Sequence, residues 1–352
     1  MQQHKILKFT KRIGVLGCFD FGKPVGGQQV KTQIIGNELR QEFGTEEVDF
    51  YDTQGKWRFI LRLPFVLLIM LTRFKNIVFM PGDKGLRIMV PLLVLLNFIF
   101  RRKLHYVVIG GWLPELIARY PIHRFLLKKV DSIYAETFLM KSQLDEMGFQ
   151  NTFVMQNCKP LNILDQHQLV NFATPPYPLC TFSRVIKSKG IEDAIIAVNN
   201  CNKELGGHFF SLDIYGLVQE KEWFDNLMKD QPNTIKYCGM VSFSQSTEIL
   251  HKYYALLFPT YYQGEGFAGT LIDAMAAGLP SIVSDWRFNK EIIKNGKTGY
   301  VFPTHNIEEL TKILKDIAEN PRIMNEMRSN CLQEAKIYLP NIVTRILKNQ
   351  IV

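Results

Sequence analysis

Residues 255–280 read ALLFPTYYQGEGFAGTLIDAMAAGLP. The apolar run at 255–258 has the length of a short buried strand and stops at Pro259. A loop carrying Gly264, Glu265, Gly266 and Phe267 follows. A helix is predicted from about Gly269 to Ala277, with Gly278 at its C-cap and Pro280 just beyond. Strand, glycine-rich turn and helix in succession are the repeating unit of a parallel α/β sheet. Such a turn also presents backbone N–H groups at the positive end of a helix dipole, an arrangement suited to a phosphate or diphosphate. Two carboxylates frame it: Glu265 in the loop and Asp273 about one turn inside the helix, with seven residues between them. A carboxylate accepts hydrogen bonds from vicinal hydroxyls, so one acid can hold a sugar and the other a ribose, with the diphosphate between them.

The same alternation extends outward in both directions. Upstream, strands are predicted at 12–17, 76–80, 105–109, 132–134 and 153–156, with helices at about 28–41 and at 137–147, the latter closed by Gly148. FATPPYP at 172–178 places three prolines in seven residues and is the best linker candidate. Strands then resume at 179–182, 209–215, 234–237, 255–258 and 281–283, and the tail from about 307 is helical. The prediction is two doubly wound parallel-sheet domains, 1–171 and 172–330, with a terminal helix at 331–352 packing back toward the first. Two such domains leave a cleft, the usual place for a ligand.

At 352 residues, 47% hydrophobic and 21% charged, the chain has ordinary globular composition, which excludes extended disorder, collagen and coiled coil. The six cysteines lie apart from zinc-ribbon or redox spacings and read as reduced thiols of a cytosolic protein. Residues 1–10 are polar and basic, without the apolar core of a signal peptide. The net charge is +9, and all of it falls in residues 1–170; the remainder is neutral. Within 56–129 there are 14 Lys and Arg against two acids, Asp83 and Glu115, flanking uncharged runs at 63–72 and 88–100. Neither run reaches the roughly 20 residues needed to span a bilayer. They read either as buried helices of an α/β core or as a face lying on an anionic membrane.

Glu265 to Pro280 resembles the signature of glycosyltransferase family 4, the group 1 retaining enzymes of GT-B fold, in which two acids stand seven residues apart in a segment like E-G-F-G-x-x-x-x-E-A-M-A-x-G-x-P. Here the second acid is Asp273. Ser183-Arg184 with Lys189-Gly190 resembles the family's G-R-x-x-x-x-K-G segment, Ser replacing the first Gly. Gly26-Gly27 resembles the glycine-rich loop after the first strand, and Asn157 the Asn of a P-N-G segment, with Cys158 for Gly. The resemblance implies two Rossmann-like domains facing a central cleft and a nucleotide-sugar donor, a UDP-sugar at the family level. Its roles, carried over, put Glu265 on the sugar hydroxyls and Arg184 and Lys189 on the diphosphate. The backbone of Gly266, Phe267, Ala268, Gly269, Thr270 and Leu271 would cradle phosphate, and Asp273 would hold the ribose. Gly26 and Gly27 would face the donor phosphates. Many family members carry a His after a strand of the first domain; here Gly110-Gly111-Trp112 stands there, and His105, at the opposite end of its strand, reads as structural. No catalytic base is assigned.

No cofactor and no metal are expected: the chain has no Asp pair one residue apart and no clustered histidines, and Arg184, Lys189 and the helix dipole would replace a cation. The reading is a retaining hexosyltransferase acting on a glycan acceptor linked to polyprenyl, in capsule-type polysaccharide assembly. It would be cytoplasmic and peripheral on the cytoplasmic face of the cell membrane. Three rivals stay open. Gly264, Gly266 and Gly269, with Asp285 further on, fit a dinucleotide fingerprint literally. A nucleotide-sugar epimerase shares this fold. A basic nucleic-acid-binding protein would use the +9 half, although no recognition motif accompanies the charge and no nucleic-acid partner is expected.

Overall fold

The computed structural model describes residues 11–19, 27–54, 57–242 and 245–351. Gly26 lies outside them. Among the described residues, twelve parallel strands form two six-stranded sheets. The first contains β1 (Lys11–Gly17), β2 (Val48–Asp52), β3 (Phe74–Met80), β4 (Lys103–Val107), β5 (Ser132–Ala135) and β6 (Thr152–Val154), in the order β2-β1-β3-β4-β5-β6. The second contains β7 (Tyr177–Phe182), β8 (Phe210–Tyr215), β9 (Ile235–Gly239), β10 (Ala255–Phe258), β11 (Ser281–Ser284) and β12 (Gly299–Phe302), in the order β12-β11-β10-β7-β8-β9. Helices on both faces bury these strands, which is why most read as continuous apolar runs.

The strand order reverses between β1 and β3 in the first sheet and between β7 and β10 in the second. Ligands of open α/β sheets bind outside the carboxyl ends of the strands at such reversals. The chain leaves β7 into Ser183-Arg184 and leaves β10 into the Pro259–Ala268 loop, so both motif segments emerge at one switch point.

In the first unit, α1 (Gly27–Phe43) packs Ile34, Ile35 and Leu39 onto Ile13, Val15, Val78 and Val107. Two further helices follow, α2 (Trp57–Arg73) and α3 (Asp83–Phe100). Each buries one stripe at helical spacing: Leu63, Leu67, Met70 and Leu71 on α2, and Leu86, Met89, Val90 and Leu93 on α3. Their opposite faces are apolar and exposed.

The chain divides into two compact units, one comprising the described residues up to Lys159 together with Pro340 onward, the other Pro160–Leu339. The proline-rich segment therefore lies inside the second unit. Phe172 exchanges two hydrogen bonds with the Asn325 side chain, at 3.0 and 2.8 Å, and meets Tyr254 edge-on. The Leu164 N–H donates to the Ala276 carbonyl at 3.0 Å. Prolines at 172–178 interrupt secondary structure without interrupting packing, which moves the division from 171/172 to 159/160. Residues 331–339 stay with the second unit. From Pro340 the chain returns to the first, where Val343, Leu347 and Ile351 join its core and Lys348 pairs with Glu38 at 2.9 Å.

Candidate active site

After β7 the backbone makes a one-turn 3₁₀ helix, Lys187–Lys189, capped by Gly190 at φ 70°. A Cβ on Gly190 would lie 2.1 Å from the carbonyl oxygen of Pro259, at the end of β10. Only glycine permits this approach, and it brings Lys189 against the neighbouring loop. The contact is then sewn together: the Tyr261 N–H donates to the Ser188 carbonyl at 2.8 Å, and from β11 the Ser284 hydroxyl donates to the Thr260 carbonyl at 2.5 Å.

Glu265 sits in the resulting niche. Its Oε2 accepts from Lys189 Nζ in a buried ion pair and from the Thr260 hydroxyl at 3.0 Å. Glu265 is 9% exposed and Lys189 7%. The turn that presents Glu265 closes with its N–H on the Tyr262 carbonyl at 3.0 Å, and Trp286 Nε1 donates to the same carbonyl at 2.8 Å. A side chain at Gly264 would strike the Tyr262 ring at 2.7 Å, so glycine is needed at the tip. The ring centroid of Tyr262 lies 5.2 Å from Lys189 Nζ and 4.8 Å from the guanidinium carbon of Arg184, which is exposed.

The helix Gly269–Ala276 starts here, and no side chain caps it at Ala268. The first N–H groups of a helix have no carbonyl four residues back within it; Leu271 turns its own to the Ala268 carbonyl at 3.1 Å, and those before it suit an anion. Phe267, Ala268 and Leu271 bury their side chains in the core of the second unit, leaving only backbone for a ligand. Gly266, Gly269 and Thr270 remain partly exposed. Asp273 stands further along the helix and is buried.

The structure thus joins Glu265 directly to Lys189 and sets Arg184 beside them, while Asp273 stays on its helix. Gly27 opens α1 in the other unit and is exposed. Asp285, the acid of the literal dinucleotide fingerprint, is engaged within its own unit: its Oδ1 accepts from the Thr304 N–H at 2.9 Å and hydroxyl at 2.7 Å, and Lys290 lies 3.2 Å from Oδ2. His105 is buried, with Tyr134 Oη and Asn76 Oδ1 each 3.2 Å from its ring nitrogens. Burial pushes its pKa down to about 4, so it is neutral at physiological pH and committed to the core.

Three features escaped the sequence reading. Thr260 hydrogen-bonds Glu265, and the Tyr262 ring lies beside both cations. In the first unit, Lys31 on α1 and Glu136 form a buried ion pair beyond the carboxyl ends of the strands. Lys31 Nζ donates to the Val108 carbonyl at 3.1 Å, and Glu136 accepts the Gly110 N–H at 3.1 Å. Among the described residues no group of three or more His, Cys, Asp or Glu is placed to hold a metal ion, and no helix is long and apolar enough to cross a membrane.

Residues 164–337 match the family of glycosyl transferases group 1. The segment that carries Arg184, Lys189, Glu265 and Asp273 is thus a glycosyltransferase domain. Over 202 residues, 54% of this chain, the sequence is 28% identical to the GtfA subunit of the UDP-N-acetylglucosamine–peptide N-acetylglucosaminyltransferase of Streptococcus gordonii. Over 164 residues, 46% of this chain, it is 28% identical to the alpha-monoglucosyldiacylglycerol synthase of Acholeplasma laidlawii. These matches span 38% and 40% of those two proteins' lengths, well under two thirds. Among solved structures, that of Anabaena HepE in complex with UDP and glucose superposes with a TM-score of 0.73 at 16% identity, covering 97% of this chain and 99% of that one. That likeness carries the fold, which is GT-B: two doubly wound α/β units in one chain.

Proposed function

We propose that the chain is a retaining glycosyltransferase of the family 4 type, moving a hexose from a UDP-sugar to a lipid-linked glycan acceptor in cell-surface polysaccharide assembly. The observation that carries this reading is the buried Lys189–Glu265 pair at the β7/β10 switch point, with Arg184 and an uncapped helix start beside it. Glu265 holds hydroxyls of the transferring sugar. Arg184, Lys189 and the backbone from Gly266 to Leu271 take the diphosphate, and Asp273 takes the ribose. The bond from C1 to the diphosphate oxygen breaks with its electron pair leaving on the phosphate, where the cations stabilise it. The acceptor oxygen bonds C1 on the same face, and its proton passes to the departing phosphate oxygen. Uridine is favoured by the relatives' chemistry: the streptococcal enzyme is named for a UDP-sugar, and HepE was solved with UDP.

Arg184, Lys189 and the helix dipole would supply the charge that a divalent ion otherwise offsets, so no metal is needed in this reading. In a thermal-shift panel of nucleotide sugars, the donor should raise the melting temperature by mass action. With that donor, nucleotide should be released only when acceptor is added, and release should persist in excess EDTA. Acceptor-independent conversion of the donor would favour an epimerase, and an activity that EDTA abolishes and Mg²⁺ restores would overturn the metal-free mechanism.

The first unit then docks on an anionic membrane, at the cytoplasmic face, to reach its acceptor. The outer faces of α2 and α3 expose Phe65 at 70%, Leu95 at 71% and Phe98 at 82%, and Ile122 and Phe125 are exposed on the short helix Pro121–Leu127. Arg62, Arg73, Lys84, Arg87 and Arg124 lie on these same helices, and Arg101, Arg102, Lys128 and Lys129 follow their ends. Apolar side chains bordered by cations match the acyl–headgroup boundary of anionic lipid. The chain should sediment with phosphatidylglycerol vesicles, lose that binding at high salt, and ignore phosphatidylcholine vesicles. A Leu95→Glu, Phe98→Glu double variant should stay in the supernatant with unchanged donor affinity. Equal binding to RNA would point instead to a general polyanion site.

A further inference from the structure

We propose that Tyr262 is a positioning residue of the donor site, its ring holding Arg184 and Lys189 in the arrangement that receives a diphosphate. The proposal rests on the donor-site reading given above and adds a residue outside the acidic, arginine and lysine motifs. Two cations near one another repel, and a single carboxylate, Glu265, is paired with only one of them, Lys189. A second carboxylate could restrain Arg184, but it would repel the incoming phosphates. An aromatic ring attracts a cation through its quadrupole and carries no charge, so it orders the cations and leaves their charge for the ligand. Tyr262 is within cation–π range of both, at 4.8 and 5.2 Å.

The ring is itself firmly placed. The Tyr262 N–H donates to the Thr260 hydroxyl at 3.2 Å, and the Tyr262 carbonyl accepts from Trp286 Nε1 and from the Glu265 N–H. Gly264 leaves the ring the space it occupies. Arg184 by contrast is exposed on a loop, and among the described residues no carboxylate pairs with it. A free arginine spreads over many rotamers, which binding must then restrict. Stacking on Tyr262 narrows that spread before the ligand arrives.

The test compares UDP with UMP, which lacks the β-phosphate, by calorimetry on the full chain. Tyr262→Leu should weaken UDP about tenfold, as loss of two cation–π contacts implies, and leave UMP within about twofold. Tyr262→Phe, which keeps the ring, should bind both ligands as the native chain does. Tyr262→Met serves if the Leu variant fails to fold. Arg184→Ala separates the two levels of the argument. If Arg184→Ala weakens UDP while Tyr262→Leu does not, the positioning role is wrong and the donor site stands. If Arg184→Ala also leaves UDP binding intact, the donor-site reading itself fails. Equal loss of UDP and UMP in Tyr262→Leu would mean general collapse of the loop and would overturn the role.

Discussion

Glu265→Gln should lower kcat about 100- to 1,000-fold, the range seen when one preorganised electrostatic contact to a transition state is removed. The amide is the size of the carboxylate and still accepts the Thr260 hydroxyl, so the loop has no steric reason to move. What disappears is the negative charge that balances Lys189 and that, in the proposed function, faces the transferring sugar. The sign of the effect on nucleotide binding is opposite to that on turnover. Removing an anion beside two cations strengthens their attraction for a diphosphate, so UDP should bind as well as before or better. That split, with kcat collapsing while UDP affinity holds, distinguishes a group acting on the sugar from one that merely supports the loop. Near-native turnover with the donor found by thermal shift would refute the assignment. A parallel loss of UDP affinity and melting temperature would show Glu265 to be structural.

The legible part of this site was local in sequence. Gly264 to Gly278 forms one loop and one helix, and Ser183 to Gly190 one turn, so spacing alone conveys which atoms travel together. The unread residues act across the fold. Lys31 and Glu136 are 105 positions apart and belong to no motif; only packing of α1 over the ends of β4 and β5 joins them. Tyr262 and Thr260 sat within a quoted segment, yet their importance depends on where β7 delivers Arg184 and Lys189.

The same distinction explains the elements. Most of the ten predicted strands show as apolar runs because both their faces are buried; β9 (IKYCG), at a sheet edge and largely exposed, is the exception. The two missed strands, β2 (VDFYD) and β12 (GYVF), lie at sheet edges and are mostly half-buried, so their composition is mixed. The runs at 63–72 and 88–100 kept two readings because each is apolar beyond one stripe. The structure shows why: one stripe of each helix is buried and the rest is half-buried or exposed.

Gly190→Ala should be the most damaging of the conservative changes, in stability and in activity together. Two costs combine. An alanine at φ 70° sits in the left-handed region at about 1–2 kcal/mol. Its Cβ would also fall 2.1 Å from the Pro259 carbonyl oxygen, a backbone atom at the end of a central strand that has little freedom to withdraw. Overpacking of this kind adds about 1–3 kcal/mol. At roughly 2–4 °C per kcal/mol for a unit of this size, the melting temperature of the second unit should fall by about 5–15 °C. The relief must come from separating the loops after β7 and β10, and that movement pulls Lys189 from Glu265 and Ser188 from Tyr261. Turnover should therefore fall further than the folded fraction does. Gly206→Ala supplies the control. Its φ is 71°, nearly the same, and nothing lies within 4 Å of the added Cβ. It carries the conformational cost without the collision, far from the candidate site in sequence, and should lower the melting temperature slightly with normal activity. If the two alanine variants melt within about a degree of each other, the close approach of Gly190 to Pro259 is not what holds Lys189 in place.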